Sequence, residues 1–255
     1  MLKVTSFRAV AALALLLFIQ TGWAATVLVA VASNFSKPMT EIAAEFEKAT
    51  GHSAKLSFGS SGKFVSQLEN GAPFEILLSA DENGPIKLEQ AGLAVSDSHF
   101  TYALGRLVLW SATPGYVDDQ GKILATGGFK HLALADPKLA PYGAAAIGVL
   151  KGLNLQDKLS PLFVLGENIA QTHQFISTGN AELGFVALSQ VIENGKVATG
   201  SGWIIPTDRY EPIRQDAVLL TRGAENPAAS ALLDYLKSAQ ALAIIEKYGY
   251  GLPKH

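Results

Sequence analysis

The fold is decided by the run Thr26-Val27-Leu28-Val29-Ala30-Val31-Ala32, which ends abruptly at Ser33-Asn34. An unbroken β-prone apolar run is typical of a strand that is buried on both faces of a sheet. An amphipathic helix is predicted next, at about residues 37–50, and Gly51 ends it. The chain therefore opens with a buried strand followed by a helix that covers the sheet.

The same alternation continues toward the C-terminus. A second strand is predicted at 52–58, a helix at 63–70 after Gly59-Ser60-Ser61-Gly62, and a third strand at 75–79. Strand, helix, strand, helix, strand in one run indicates parallel strands joined by crossover helices. The first part of the chain is therefore predicted to be an α/β unit.

A second α/β unit follows the first. Its predicted strands are 104–110, 131–135, 162–165 and 183–188, and its predicted helices are 143–151 and 169–177. A last strand at 215–221 and two helices at 228–237 and 239–248 have no sheet to join in the second unit. We therefore expect them to return to the first unit.

This pattern predicts a two-lobed α/β protein. Each lobe is expected to be a mixed, mostly parallel sheet flanked by helices. Domain I is predicted to be discontinuous, with residues 25–103 and 213–255, and domain II to hold residues 104–212. Two chain crossings form a hinge, and the cleft between two lobes is where small ligands usually bind.

The first 24 residues have the features of a signal peptide. Lys3 and Arg8 precede the apolar run Ala9–Ile19, and small residues stand at Gly22 and Ala24. Cleavage is predicted after Ala24, with export to the periplasm. A membrane anchor is the alternative, but this run would cover roughly 16 Å as a helix, about half of a bilayer core.

Composition excludes several classes of function. The chain has 255 residues and no Cys, so disulfides, thiolate metal sites and cysteine nucleophiles are ruled out. Lys and Arg number 20 against 22 Asp and Glu, for a net charge of −2, so no nucleic-acid partner is expected. A hydrophobic fraction of 49% argues against disorder.

Four loops share one chemical character. Each follows a predicted strand and opens a helix: Ser33-Asn34, Gly59-Ser60-Ser61-Gly62, Pro141-Tyr142-Gly143 and Asn168-Ile169. Helix starts carry unpaired N–H groups and partial positive charge, so together such loops can hold an anion without Lys or Arg. Taken singly, the same residues are equally typical of helix caps, turns and packed aromatics.

Signals of catalysis are weak. The chain lacks the Gly-x-Ser-x-Gly elbow, the His-Glu-x-x-His zinc motif and the Walker A motif, and its five His are scattered. Asp81-Glu82 is interpreted as a solvated turn. The protein is not expected to be an enzyme, and a hydrolase that uses Ser61 as its nucleophile remains as the alternative from another class.

Several segments resemble one known family over the whole mature chain. Two are fairly specific, Gly71-Ala72-Pro73-Phe74-Glu75-Ile76-Leu77-Leu78-Ser79-Ala80-Asp81 and Ala181-Glu182-Leu183-Gly184-Phe185-Val186. Others are Val29–Asn34, Phe58–Gly62 and Asp136-Pro137 through Gly143. In these the chain resembles the periplasmic molybdate-binding proteins of bacterial ABC transporters.

The resemblance implies a type II periplasmic binding fold that grips one tetrahedral oxyanion in its cleft. Carried over by position, the ligand contacts are Ser33, Asn34 through its backbone N–H, Ser61, Tyr142, and Ile169 through its backbone N–H. No direct metal-ion ligands and no cofactor are implied, because the molybdate oxyanion itself is the ligand.

In one position the chain departs from the family. Some members place a contacting Tyr directly after the Leu-Gly-x-Val strand, where this chain has Ala187. Tyr142 occupies a loop where those members have a small residue. The inference is that the phenol of Tyr142 reaches the anion from the opposite side.

The ligand preference follows from protonation. Molybdate and tungstate near neutral pH are unprotonated dianions whose oxygens only accept hydrogen bonds, whereas hydrogen phosphate needs an acceptor that none of the four loops offers. Sulfate or another oxyanion stays as the alternative ligand. The resemblance further implies delivery to a membrane permease with a cytoplasmic ATPase, and a monomer is expected.

Overall fold

The computed structural model describes residues 24–253. Except for Ala24, the predicted signal peptide lies outside the described residues. Between residues 24 and 253, no helix combines the length and the apolar character needed to cross a bilayer.

The first part of the chain alternates strands and helices as predicted, with a short 3-10 turn at Ser33–Phe35. In chain order the elements are β1 (Thr26–Ala32), α1 (Ser36–Thr50), β2 (Ser53–Gly59), α2 (Ser61–Glu69), β3 (Ile76–Leu78), α3 (Asn83–Gln90), β4 (Phe100–Gly105) and β5 (Leu107–Ser111).

The remainder of the chain adds shorter elements between longer ones. They are α4 (Ile123–Thr126), β6 (Leu132–Ala135), α5 (Pro141–Gly152), α6 (Gln156–Leu159), β7 (Phe163–Gly166), α7 (Ile169–Ser177), β8 (Leu183–Ala187), α8 (Leu188–Val191), β9 (Ile192–Glu193), β10 (Lys196–Val197), β11 (Ser201–Ile204), β12 (Ile213–Leu219), α9 (Pro227–Leu236) and α10 (Ala239–Lys247).

Two five-stranded mixed sheets organise the described chain. The strand orders are β2-β1-β3-β12-β4 and β11-β5-β8-β6-β7. Mixed sheets flanked by helices confirm the predicted α/β fold. Parallel pairing is not in the majority, however, because β12 runs antiparallel to β3 and β4, and β5 runs antiparallel to β8 and β11.

We call the first sheet with its helices lobe I and the second sheet with its helices lobe II. In lobe I, apolar side chains of α1, α9 and α10 cover one face of the sheet, and those of α2 and α3 cover the other. In lobe II, α5 covers one face and α7 with α8 the other. Both sheets are therefore buried on both faces, as the apolar run of β1 predicted.

The chain crosses between the sheets at Arg106 and returns between β11 and β12. The predicted single strand at 104–110 is wrong, because β4 and β5 are separate strands of different sheets. An apolar run continues on both sides of Arg106, so the sequence pattern hides the break. Helix α3 and strand β11 were not predicted, and α3 begins directly beyond the expected turn at Asp81-Glu82.

Asp216 is a buried carboxyl group at an irregular point in the sheet of lobe I. It lies at an irregular register of β12 against β4, and its Oδ1 atom has no hydrogen-bond partner in the described part of the chain. Burial raises the pKa of its carboxyl group, and this is offset in part by the Thr101 hydroxyl and by Arg214. Folding therefore favours the protonated acid.

Asp216→Asn is expected to raise the free energy of unfolding near neutral pH. A carboxyl whose folded-state pKa is raised stabilises the fold only while it is protonated, so the ionised form costs stability above that range. The increase in the free energy of unfolding should become smaller as the pH falls toward about 3.9, the pKa of an aspartate in the unfolded chain. Urea unfolding at about pH 7 and about pH 4.5 measures it.

The matched control for this change is Asp234→Asn, on the exposed face of α9. It should leave the free energy of unfolding nearly unchanged at both pH values. A loss of stability for Asp216→Asn at neutral pH would show that the ionised carboxylate is compensated in the fold.

Candidate functional site

A small cavity lies where the two lobes meet. Its volume is about 10 Å³, far below the roughly 300–1,000 Å³ of sites for organic ligands. The lining has no charged side chain and comes from both lobes: Ala32, Ser33, Asn34, Gly59, Ser60, Ser61, Ala80, Ala140, Pro141, Tyr142, Asn168 and Ile169. All five predicted contact residues are thus brought together around one cavity.

The first loop supplies Ser33 and Asn34 in the 3-10 turn that follows β1. Both side chains are buried. The Asn34 side-chain amide is committed away from the cavity, because its Nδ2 donates to Gln215 Oε1 at 2.7 Å and to the Tyr250 hydroxyl at 3.0 Å. What Asn34 has left to offer a ligand is therefore its backbone N–H, which is the contact that the resemblance implies.

The second loop places Ser61 at the first position of α2. Its side chain is 1% exposed, and its Oγ accepts a hydrogen bond from the Ala80 N–H at 2.9 Å. Since the oxygen is used as an acceptor, the hydroxyl hydrogen is free to be donated elsewhere. The next residue, Gly62, donates its N–H to Leu139 O of lobe II at 3.0 Å.

Lobe II contributes the N-termini of two helices. In α5, Pro141 has no N–H, and the Tyr142 N–H makes no backbone hydrogen bond in the described chain, whereas the Gly143 N–H bonds Ala140 O. In α7, Asn168 Oδ1 accepts from the N–H groups of residues 170 and 171. The Ile169 N–H is left over at the cavity edge, where the helix dipole favours negative charge.

The Tyr142 phenol is engaged by the fold itself. Its hydroxyl accepts a hydrogen bond from Gln215 Nε2 at 3.1 Å and packs against Gly105, where an added Cβ atom would overlap it. Burial raises the pKa of this phenol well above its usual value. The ring is thus held beside the hinge strand β4, where Gln215 uses the hydroxyl oxygen as an acceptor, and the backbone N–H at the start of α5 is a second donor of Tyr142.

A buried polar network behind the cavity was missed by the sequence reasoning. Ser189 Oγ, from lobe II, donates to Asn34 O at 2.8 Å, and the Tyr250 hydroxyl bonds the same carbonyl at 2.8 Å. Burial raises the pKa of Tyr250 to about 12, so the phenol is a neutral donor. The available signal was the polar pair Gln215-Asp216 at the start of the predicted strand 215–221, directly before its apolar residues.

Contacts outside the cavity also join the lobes. Lys63 Nζ of α2 forms an ion pair with Glu167 at 2.6 Å, and Lys37 Nζ donates to Gln190 O at 2.9 Å. Together with the buried network, these bonds hold the two lobes against each other. Neither Lys37 nor Lys63 lines the cavity.

A larger groove of about 830 Å³ lies beside the small cavity. Its rim mixes carboxylates such as Asp81 and Glu211 with the cations Lys138 and Arg214. Burial raises the pKa of Asp81, with Asp216 adding to the shift. A groove that presents carboxylates does not suit a dianion, so the small cavity is the better candidate.

Ser61 lacks the partners of a hydrolase nucleophile. Its hydroxyl bonds Ala80, and among the hydrogen bonds of residues 24–253 the one between a serine side chain and a histidine ring joins Ser177 to His173 on α7. In the same residues no group of three or more His, Cys, Asp or Glu side chains is placed to hold a metal ion.

Sequence comparison gives one matching family and two relatives of high identity. A family of bacterial extracellular solute-binding proteins matches residues 27–251. The molybdate-binding protein ModA of Azotobacter vinelandii is 61% identical over 229 residues, which cover 90% of this chain and 91% of that protein. The protein of the same name from Rhodobacter capsulatus is 54% identical over 227 residues, with 89% and 88% covered.

Solved structures agree with the sequence matches. The periplasmic molybdate-binding protein of Azotobacter vinelandii superposes with a TM-score of 0.87 at 44% identity. The match covers 89% of this chain and 100% of that one.

Proposed function

The chain belongs to the family of bacterial extracellular solute-binding proteins, and from this premise we propose that it captures molybdate between its two lobes for an ABC transporter. The resemblance to molybdate-binding proteins that the sequence indicated is confirmed by relatives at 61% and 54% identity. The observation that carries the proposal is the interlobe cavity, which is lined by neutral groups and helix N-termini and by no charged side chain.

The donor set suits a tetrahedral dianion without a proton. The proposed contacts are the hydroxyls of Ser33 and Ser61 and the backbone N–H groups of Asn34, Tyr142 and Ile169. Each hydrogen bond to a charged group contributes roughly 1.5–3 kcal/mol. Five such hydrogen bonds can offset the free-energy costs of desolvation and lobe closure. The remaining binding free energy of about −8 kcal/mol or lower corresponds to a micromolar Kd or tighter.

Tyr142 takes a revised role in this proposal. The backbone N–H at the start of α5 contacts the anion, while the phenol supports the site through Gln215. Ala187 ends β8 fully buried and does not line the cavity, so no side chain replaces the tyrosine that some family members carry there.

The wider role follows from the two-lobed form. We propose that residues 25–105 with 213–253 and residues 107–212 move as two lobes about the crossings at Arg106 and before β12. The predicted boundary after residue 103 shifts because β4 continues to Gly105 in the sheet of lobe I. The closed form docks on a membrane permease that a cytoplasmic ATPase drives. We also propose that the predicted signal peptide directs export of the protein, that it acts as a monomer in the periplasm, and that it binds tungstate as well.

Isothermal titration calorimetry of the mature chain tests the ligand assignment. Molybdate and tungstate are expected to bind with micromolar Kd or tighter, sulfate at least tenfold more weakly, and phosphate not measurably. Sulfate is smaller, so donors set for molybdate stay partly unpaired around it. Equal affinity for sulfate and molybdate would reject the assignment to molybdate.

A further inference from the structure

Ser60 is a buried hydroxyl that no part of the fold uses. Its side chain is 3% exposed, and its Oγ has no hydrogen-bond partner among residues 24–253. It lines the interlobe cavity beside Ser61. Buried polar atoms are nearly always paired, so this orphan requires an explanation.

Helix capping does not supply that explanation. Ser60 is the residue before α2 and has the extended backbone of an N-cap, with φ −84° and ψ 146°, yet its side chain makes no capping hydrogen bond. Its carbonyl is used normally, since it accepts from the Phe64 N–H at 3.1 Å. The serine thus holds the capping position while its hydroxyl serves something other than the helix.

We infer that the Ser60 hydroxyl donates a hydrogen bond to the bound oxyanion and is a binding residue in addition to the five already assigned. This inference rests on the proposed function, because it takes the cavity as the anion site. A dianion is the partner that best satisfies an orphan hydroxyl, since charged acceptors give the strongest hydrogen bonds.

Ser60 and Ser61 differ in what the protein itself gives them. Ser61 Oγ is held by the Ala80 N–H whether or not a ligand is present, whereas Ser60 Oγ has no protein partner. Loss of the Ser60 hydroxyl therefore removes nothing from the unliganded protein. This difference separates a binding role from a structural one.

The test compares Ser60→Ala with wild type and with Ser66→Ala, which removes an exposed hydroxyl from the same helix. Calorimetry with molybdate is expected to give a Kd at least fivefold weaker for Ser60→Ala and unchanged for Ser66→Ala. Urea unfolding without ligand is expected to give a midpoint for Ser60→Ala that is equal to or higher than that of wild type.

The outcomes distinguish the possible roles. If Ser60→Ala binds molybdate like wild type, the hydroxyl faces water and the inference is overturned. A lowered unfolding midpoint with an unchanged Kd would show a capping role and would also overturn it. If wild type itself does not bind molybdate, the proposed function fails first, and the effect of Ser60→Ala is then measured with the anion that wild type does bind.

Discussion

Ser61→Ala is expected to weaken molybdate binding at least tenfold, which corresponds to about 1.4 kcal/mol. The hydroxyl hydrogen of Ser61 is free because its oxygen is already an acceptor for the Ala80 N–H at 2.9 Å. The serine is therefore oriented before the ligand arrives, and little side-chain freedom is lost on binding. Calorimetry with molybdate measures the loss.

The same change should also affect the protein without ligand. Ala80 is 2% exposed, so removal of the Ser61 oxygen leaves a buried N–H without its acceptor. An unpaired buried donor costs about 1–3 kcal/mol. We expect a lower urea midpoint for Ser61→Ala, in contrast to Ser60→Ala, and no change for Ser66→Ala in either measurement.

An unchanged Kd for Ser61→Ala would remove this side chain from the anion site and leave it a purely structural role. Because the stability loss is measured without ligand, it does not obscure the affinity loss. Ester hydrolysis that disappears with the hydroxyl would instead support the hydrolase alternative.

Much of the fold was predictable because buried strands and amphipathic helices have strong local signals. The run that forms β1 and the helix that forms α7 illustrate this, since the predicted bounds of α7 agree with the structure. The separation of β4 from β5 at Arg106 could not be predicted from local signals. Whether a strand stays in one sheet depends on distant pairing with β12 and β8, which no local pattern encodes.

The site shows the same division between local and distant information. The loops that hold Ser33, Ser61 and Ile169 could be proposed because each lies at a strand end or helix start, where free donors are expected, and the resemblance then selected these residues within them. The orientation of the Tyr142 phenol could not, because it is set by Gln215, a residue 73 positions away in the chain. The roles of Tyr250 and Ser189 likewise depend on contacts between the lobes.

Ser60 shows a limit of motif reasoning. Within Gly59-Ser60-Ser61-Gly62 the two serines are chemically identical, and the resemblance selects only the second. The difference between them is the partner atom that each oxygen has in three dimensions. A hydroxyl without a partner cannot be recognised from composition, spacing or helix propensity.

The helix start at Tyr142 leads to the other large expected effect, that of Gly143→Ala. A Cβ atom at residue 143 would overlap the Ala135 carbonyl oxygen and come within 2.8 Å of the Ala135 carbonyl carbon and 3.1 Å of Asp136 C. These are backbone atoms at the end of β6, so they cannot rotate away. The start of α5 must shift, and the Tyr142 N–H moves with it.

We therefore expect Gly143→Ala to lower the free energy of unfolding by about 3 kcal/mol, at the upper end of overpacking effects. Molybdate affinity should fall at least tenfold, or about 1.4 kcal/mol. Urea unfolding and calorimetry measure the two losses separately.

Gly148→Ala in the same helix is the matched control, because nothing lies within 4 Å of a Cβ atom placed at that residue. Replacement of a helical glycine by alanine stabilises by roughly 0.5–1 kcal/mol. This variant should therefore be slightly more stable than wild type and should bind molybdate equally well. If Gly143→Ala kept full affinity despite its lower stability, the N-terminus of α5 would not contact the anion, and the donor set would have to be sought in lobe I and α7 alone.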